Sequence, residues 1–418
     1  MSGLYCGLDF GTSNSTAGIV SGNGFTLCPL EGESVTLPSS IFFDYEEHRT
    51  RFGRDGIGAY VEGTEGRLLR ALKSVLGSAL VEETTLVGRR RVSFRDIIGL
   101  FLHHLKTVVE TRLGGPVDSV VLGRPVRFVD HDDAADARAE AELVGIARAQ
   151  GFRHIELQYE PVAAALDYEQ SVSREELALI VDLGGGTSDF AVTRLSPRHA
   201  GKADRSGDIL GRAGVHIGGT DFDRDLSLAR AMPELGMDAL IGPKKLPMPI
   251  RLYQDLATWH RIPSLYTSNN INYFKSLLRT VDRPELVERL IDLLTHRNGH
   301  RLAGLIEGAK IALSDTKTTA VRLPLSRPVD IEVTRDQLET VLAPHVAAIL
   351  AGIDRCLREA GTPREAIEAV FLTGGSTAVP VVRRGILAHL PQARPVDGDI
   401  FGSVGIGLAI DARRKFGM

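Results

Sequence analysis

Leu177-Ala-Leu-Ile-Val-Asp182-Leu-Gly184-Gly185-Gly186-Thr187-Ser188-Asp189-Phe190-Ala-Val-Thr-Arg-Leu195 reads as strand, tight turn, strand. Leu177 to Val181 is an apolar run long enough for one buried strand. The three glycines are expected to turn the backbone with positive φ and to bare its N–H groups, forming an anion-binding concavity. Asp182 enters the turn and Asp189 leaves it. Carboxylates beside a phosphate cradle suit a hydrated Mg²⁺, which keeps its waters and takes few protein ligands. A Gly-rich hairpin without a ligand fits the same letters, so context decides.

The context is a second copy near the start. Tyr5-Cys-Gly-Leu-Asp9-Phe-Gly11-Thr12-Ser13-Asn14-Ser15 also enters as a strand, meets Asp-x-Gly, turns on small hydroxyl residues and leaves through Ala17, Ile19 and Val20. One such hairpin per half suggests two similar domains whose turns face each other and grip a triphosphate from both sides. No Gly-x4-Gly-Lys-Ser/Thr occurs, so the site is not a P-loop.

Composition narrows the class. The chain has 418 residues, 43% hydrophobic and 24% charged, as in ordinary globular proteins with room for two to four domains or subdomains. A formal charge of -4 offers no global case for nucleic acid or an anionic membrane. Three cysteines without Cys-x-x-Cys fit a reducing compartment and argue against a zinc site. No leader-like n-region is visible and no apolar run approaches the ~20 residues of a membrane span, so a cytoplasmic location is expected.

Further elements follow in order. Arg67 to Gly77 is expected as a helix with Leu68, Leu72, Val75 and Leu76 on one face, leaving Lys73 on its surface. Arg89-Arg90-Arg91 reads as a solvated turn. Ser93 caps a helix to Leu113 with Asp96 at its third position. Val117 to Gly123 is a strand, Asp130 to Gln150 a helix, and His154 to Glu160 a strand entering the small-residue helix Val162-Ala-Ala-Ala-Leu166. This alternation predicts an α/β sheet with ligands at the carboxyl ends of its strands, where Glu160 lies. Arg198 to Arg205 reads as a loop. Gly218-Gly219-Thr220-Asp221 opens a helix behind a glycine pair, an anion site in principle. Residues 231–272 read as an insertion or lobe tip. In the helix Gly299 to Ser314, Glu307, Lys310 and Ser314 share a face, which as it stands reads as an exposed stripe. Thr334 and Gln337 form a capping box. Val370-Phe-Leu-Thr-Gly374-Gly375-Ser376-Thr377 is a strand ending in a further glycine turn, and Gly402 to Lys415 a small apolar helix.

Asp9-x-Gly-Thr-x-Asn-Ser, Glu160-Pro-x-Ala-Ala-Ala, Asp182-Leu-Gly-Gly-Gly-Thr-x-Asp, Gly218-Gly-x-Asp-Phe-Asp and Gly374-Gly-Ser-Thr occur in the order seen in the nucleotide-binding domain of DnaK-type heat-shock chaperones. The resemblance covers nearly the whole chain, and the set is also similar to the wider actin and sugar-kinase superfamily. Gly-Arg-Pro-Val and Trp259-His260 resemble most the single-domain DnaK relatives called YegD-like. The resemblance implies a duplicated actin-like (ribonuclease H-like) α/β fold around a nucleotide cleft. Lobe I would span 1–170, with core 1–34 and 93–170 and an inserted subdomain at about 35–92. Lobe II would span 171–418, with core 171–222 and 300–418 and an insertion at about 223–299.

By position, the resemblance implies that Asp9, Glu160, Asp182 and Asp189 surround Mg²⁺, mostly through water. Gly11, Thr12, Ser13, Asn14, Gly185, Gly186, Thr187 and Gly219 would hold the phosphates of ATP or ADP. Lys73 would stand near the γ-phosphate and the attacking water. Glu307, Lys310 and Ser314 would hold adenosine and ribose, with Gly374, Gly375 and Ser376 beneath them. The implied activity is slow Mg²⁺-dependent ATP hydrolysis by a regulatory or atypical chaperone, with a protein client or co-chaperone as partner. Departures from the family pattern are Ala378, where many members carry an adenine-stacking arginine, Thr220 for an acid, and Ser188 for phenylalanine. Nothing follows Met418, so the linker and peptide-binding domain are expected to be absent. The alternatives are a non-catalytic ATP sensor, a small-molecule kinase and an actin-like filament protein.

Overall fold

The computed structural model describes residues 3–129, 132–199 and 205–417. The start of the helix expected from Asp130 and most of the loop expected at 198–205 lie outside them. Packing divides the chain into two units, Met1–Gly218 with Ala347–Thr377 and Val382–Met418, and Gly219–Val346 with Ala378–Val381.

The first unit holds two sheets of the same design. In one, β1 (Leu4–Phe10), β2 (Asn14–Ser21) and β3 (Gly24–Leu27) form an antiparallel meander, and β4 (Val117–Arg124) and β5 (His154–Tyr159) add in parallel on the other side of β1. In the other, β6 (Glu176–Leu183), β7 (Ser188–Leu195) and β8 (Ile209–Val215) form the meander, and β9 (Ala369–Thr373) and β10 (Arg394–Asp397) add in parallel beside β6. Helices recur at matching places: α1 (Phe94–Leu113), α2 (Asp133–Ala149) and α3 (Glu160–Glu169) in the first half, α4 (Arg335–Glu359), α5 (Pro380–His389) and α6 (Ser403–Phe416) in the second. The duplication expected from the two Asp-x-Gly hairpins is therefore a duplication of the whole topology.

The last helix of each half packs on the other half's sheet. Helix α3 follows β5 but lies on β6 and β7; α6 follows β10 but lies on β1, β2 and β4, and the two helices pack on each other. Small residues permit this: a side chain at Gly407 would run into the backbone carbonyl of Ala163, and one at Gly18 into that of Gly405. Around them Leu8, Ala17, Val121, Ala164, Ile180 and Leu408 are wholly buried.

Ser93 accepts from Asp96 N at 3.1 Å and caps α1 as expected. The stretch from Arg67 is not a helix. Gly66–Arg70 is a strand paired with Ser40–Asp44, and Leu72–Val75 is a short 3₁₀ turn. Cross-strand pairing overrides the helical spacing of its leucines. Arg89, Arg90 and Arg91 are exposed at a hairpin, as expected. Helix α4 is long and apolar enough to pass for a membrane span by length and composition alone. Its Ile349, Ile353 and Cys356 are nevertheless buried, and a Cβ at Gly352 would meet the Phe190 ring.

In the second unit, Gly219–Arg230, Pro284–Thr295 and Gly299–Asp315 are helices, and Thr318–Leu323 pairs with Val329–Thr334. The capping box is formed: Gln337 N donates to Thr334 Oγ1 (3.2 Å) and Thr334 N to Gln337 Oε1 (3.0 Å). Residues 231–272 hold two short helices, Ile250–Leu256 and Ser268–Leu277, and a two-residue hairpin.

The helix exchange makes a prediction. Gly407→Val forces α6 off α3 and should lower the free energy of unfolding by about 3 kcal/mol or more in urea titration. Gly145→Ala, on α2 where a Cβ meets nothing within 4 Å, should raise it by about 0.5–1 kcal/mol.

Candidate functional site

Asp9 and Asp182 are each the penultimate residue of the first strand of their meanders. Asp189 sits directly across the ladder from Asp182, so two carboxylates share one face of the sheet. Glu160 opens α3 at the carboxyl end of β5. Gly123 lies beside both acids of the first half: a Cβ there would sit 3.3 Å from Glu160 Cγ and 3.6 Å from Asp9 Oδ1. Into this group reaches Lys73, only 6% exposed, ion-paired with Glu160. The surface lysine expected from the sequence is thus a buried one, because the segment is a 3₁₀ turn packed inward through Leu72 and Val75.

Four carboxylates face one ammonium, and the protonation equilibria respond. Burial, then the charge of Glu160, push Asp9 up to about 7 against the pull of Lys73. Burial and Glu160 do the same to Asp189, also to about 7, although bonds from Thr187 and from Val126 N (2.7 Å) oppose them. Burial and the three neighbouring acids raise Asp182 well above the usual carboxylate range. Burial works against the Lys73 charge, but Glu160, Asp9 and Asp189 outweigh it and raise its pKa.

The two turns meet above these acids. A Cβ at Gly185 would overlap Ser13 Oγ, and one at Gly186 would come within 2.8 Å of Thr12 Oγ1. None of Gly184, Gly185 and Gly186 has positive φ, contrary to expectation. The two later glycines are required by the close approach of the opposite turn, not by backbone handedness. Ser39 secures the first turn, its Oγ donating to Gly11 O (2.6 Å) and its N–H to Ser13 O (2.9 Å). At Gly11 a Cβ would run into Asn14 O. On the other side Ser376 Oγ donates to Gly184 O at 3.0 Å, and Gly374, at φ +82, leaves room for Asp182 Oδ1. Buried Ser188 donates to Ile217 O (2.7 Å), tying the second turn to the chain before Gly218. A narrow crevice of about 20 Å³ runs between Thr12, Lys73, Pro125, Phe128, Thr187 and His216. Open grooves of about 630 and 740 Å³ lie elsewhere in this unit without the acids; perturbed charge, not size, marks the site.

The remaining candidates lie in the second unit. Lys310 is buried, ion-paired with Asp223 (2.8 Å) and donating to Gly219 O (3.2 Å). The stripe with Glu307 and Ser314 is therefore not a solvated one. Residues that sequence reasoning passed over are Val126, which donates to Asp189, His216 in the crevice, and Gly214, where a Cβ would lie 2.9 Å from Asp189 Oδ1. A glycine inside a run of strand residues, as at Gly123 and Gly214, is the signal that could have found two such places.

Among the described residues no three acids, cysteines or histidines converge as direct metal ligands. Buried acids in excess of cations nevertheless fit a divalent ion that retains its water shell.

The family model "Hsp70 protein" matches residues 5–232 and 286–412. The chain belongs to the Hsp70 family. Its fold is accordingly the duplicated actin-like ATPase fold seen in the paired sheets. Between its two segments the match leaves out residues 233–285. Similar proteins include a chaperone protein HscA homolog of Haemophilus influenzae strain PittGG, 24% identical over 98% of this chain and 57% of its own length. Chaperone protein DnaK of Methanothermobacter thermautotrophicus is 26% identical over 94% of this chain and 56% of its own. DnaK of Thermoplasma volcanium is 26% identical over 97% and 57%. The chain thus spans a little over half the length of these relatives.

The raised carboxylates give a pH prediction. A folded state that holds protons the unfolded chain has released loses stability as pH rises from the ordinary aspartate value near 3.8 towards about 7. Asp189→Asn keeps an acceptor for Val126 N without the charge. Its melting temperature should exceed that of the unsubstituted protein at pH 8, and the gap should close as pH falls to 4.

Proposed function

We propose that the acid cluster and the paired turns bind ATP with Mg²⁺ and hydrolyse it slowly, as the ATPase part of a chaperone. One observation carries this reading: both halves deliver their strand-end acids to one buried cluster directly beneath two turns that touch. A Mg²⁺ there would supply charge neutralisation for the phosphates and for the leaving oxygen. Asp9, Glu160, Asp182 and Asp189 would hold it through its waters.

The protein's own groups do the rest. Gly11, Thr12, Ser13 and Asn14 bind phosphate oxygens from one half; Gly185, Gly186 and Thr187 bind them from the other, and Gly219 is assigned to the same phosphates. Lys73, kept charged by Glu160, orients the terminal phosphate and the attacking water. Thr187 is fixed by its bond to Asp189. The resemblance assigns Gly374, Gly375 and Ser376 of the first unit, and Glu307, Lys310 and Ser314 of the second, to the nucleoside. Phosphoryl transfer to water needs alignment and charge stabilisation more than covalent chemistry. With one lysine and no arginine serving the phosphates, turnover should lie below about 1 s⁻¹, the low end for kinases. The relatives' names support a chaperone context, with a client or co-chaperone protein as partner.

Purified protein should release phosphate from ATP only with Mg²⁺, and chelation should abolish the activity. Lys73→Ala should lower turnover by about 100-fold or more while ADP affinity changes less than about tenfold. Equal turnover in both proteins would refute the role of Lys73.

A further inference from the structure

Phe401 is 48% exposed and its neighbour Ile400 39% exposed. Isolated surface aromatics are common, but this one is held on a pinned loop. Gly398 N donates to Leu372 O (3.0 Å), Gly374 N to Ile400 O (3.0 Å) and Thr373 Oγ1 to Asp399 O (3.1 Å). Phe401 N itself donates to Asp399 Oδ1 at 3.1 Å. The loop backbone is therefore fastened to the end of β9, which fixes where the ring leaves the chain.

Its place follows from the turns. The lysine end of the site is marked by the crevice that joins Lys73 to Thr12, Gly186 and Thr187. Moving back along the second turn leads from Gly186 through Gly185 to Gly184, whose carbonyl accepts from Ser376. Beside Ser376 is Gly375, which is exposed, and a Cβ on it would stand 3.2 Å from Phe401 Cε1. A triphosphate with its terminal group at Lys73 directs its other end along this line, onto a bare glycine and an aromatic edge. An exposed ring beside a glycine is a stacking platform for a nucleobase.

We infer that Phe401 forms the aromatic wall of the base subsite and favours purines, whose larger π-face stacks better than that of a pyrimidine. The inference rests on the nucleotide reading above and adds a residue to it. Ring stacking by Phe401 gives a base contact that does not depend on position 378, where this chain has alanine.

The test compares Mg²⁺-dependent binding of ADP, CDP and tripolyphosphate to the unsubstituted protein, Phe401→Ala and Phe401→Trp, with folding checked by thermal unfolding. Phe401→Ala should weaken ADP binding by roughly 5- to 100-fold, narrow the preference for ADP over CDP, and leave tripolyphosphate binding unchanged. Phe401→Trp should retain ADP affinity, and its added indole fluorescence should be quenched by ADP beyond any change at Trp259. Equal ADP affinity in the unsubstituted protein and Phe401→Ala overturns the inference while the nucleotide reading stands. Failure of the unsubstituted protein to bind either ADP or tripolyphosphate overturns the nucleotide reading and the inference with it.

Discussion

Four clustered carboxylates, of which Glu160, Asp182 and Asp189 are buried and Asp9 half-buried, opposed by one buried ammonium, are the constraint around which the first unit is arranged. Such a group is costly unless something compensates its charge. Lys73 compensates part, through Glu160; protons compensate part, as the raised pKa values of Asp9, Asp182 and Asp189 record. A divalent cation would compensate the rest and displace those protons. In this view the proton and the cation would compete for the same carboxylates.

The surrounding structure keeps the carboxylates together in spite of their repulsion. Asp182 and Asp189 are fixed opposite each other by the β6–β7 register, and Val126 N holds Asp189 from the other half. Glycines at 123, 214 and 374 give the carboxylates room that any side chain would take. Lys73 depends on the turn after Gly66–Arg70 and hence on the pairing of that strand with Ser40–Asp44. That pair of strands is therefore tied to the acid cluster through Lys73.

Much of this was readable before any coordinates. The two Asp-x-Gly hairpins, the Ser93 cap, the Thr334–Gln337 box and the strand leading to Glu160 are local patterns, in which neighbouring residues contain the signal. What escaped was long-range. Leu68, Leu72, Val75 and Leu76 have helical spacing, yet the partner strand lies some 25 residues before Leu68 and decides otherwise. Lys310 looks like a surface residue until Asp223 is placed beside it. The glycines of the second turn were rightly seen as special for the wrong reason, since the need comes from Ser13 and Thr12 in the opposite half. The convergence of four acids is likewise a property of two sheets, and no single stretch encodes it.

The exchange of α3 and α6 bears on how the chain is made. The first sheet is written almost entirely before residue 160, but the helix that covers β1, β2 and β4 ends at Phe416. During synthesis one face of those strands stays bare until the chain has been made as far as Phe416, some 250 residues after the sheet itself.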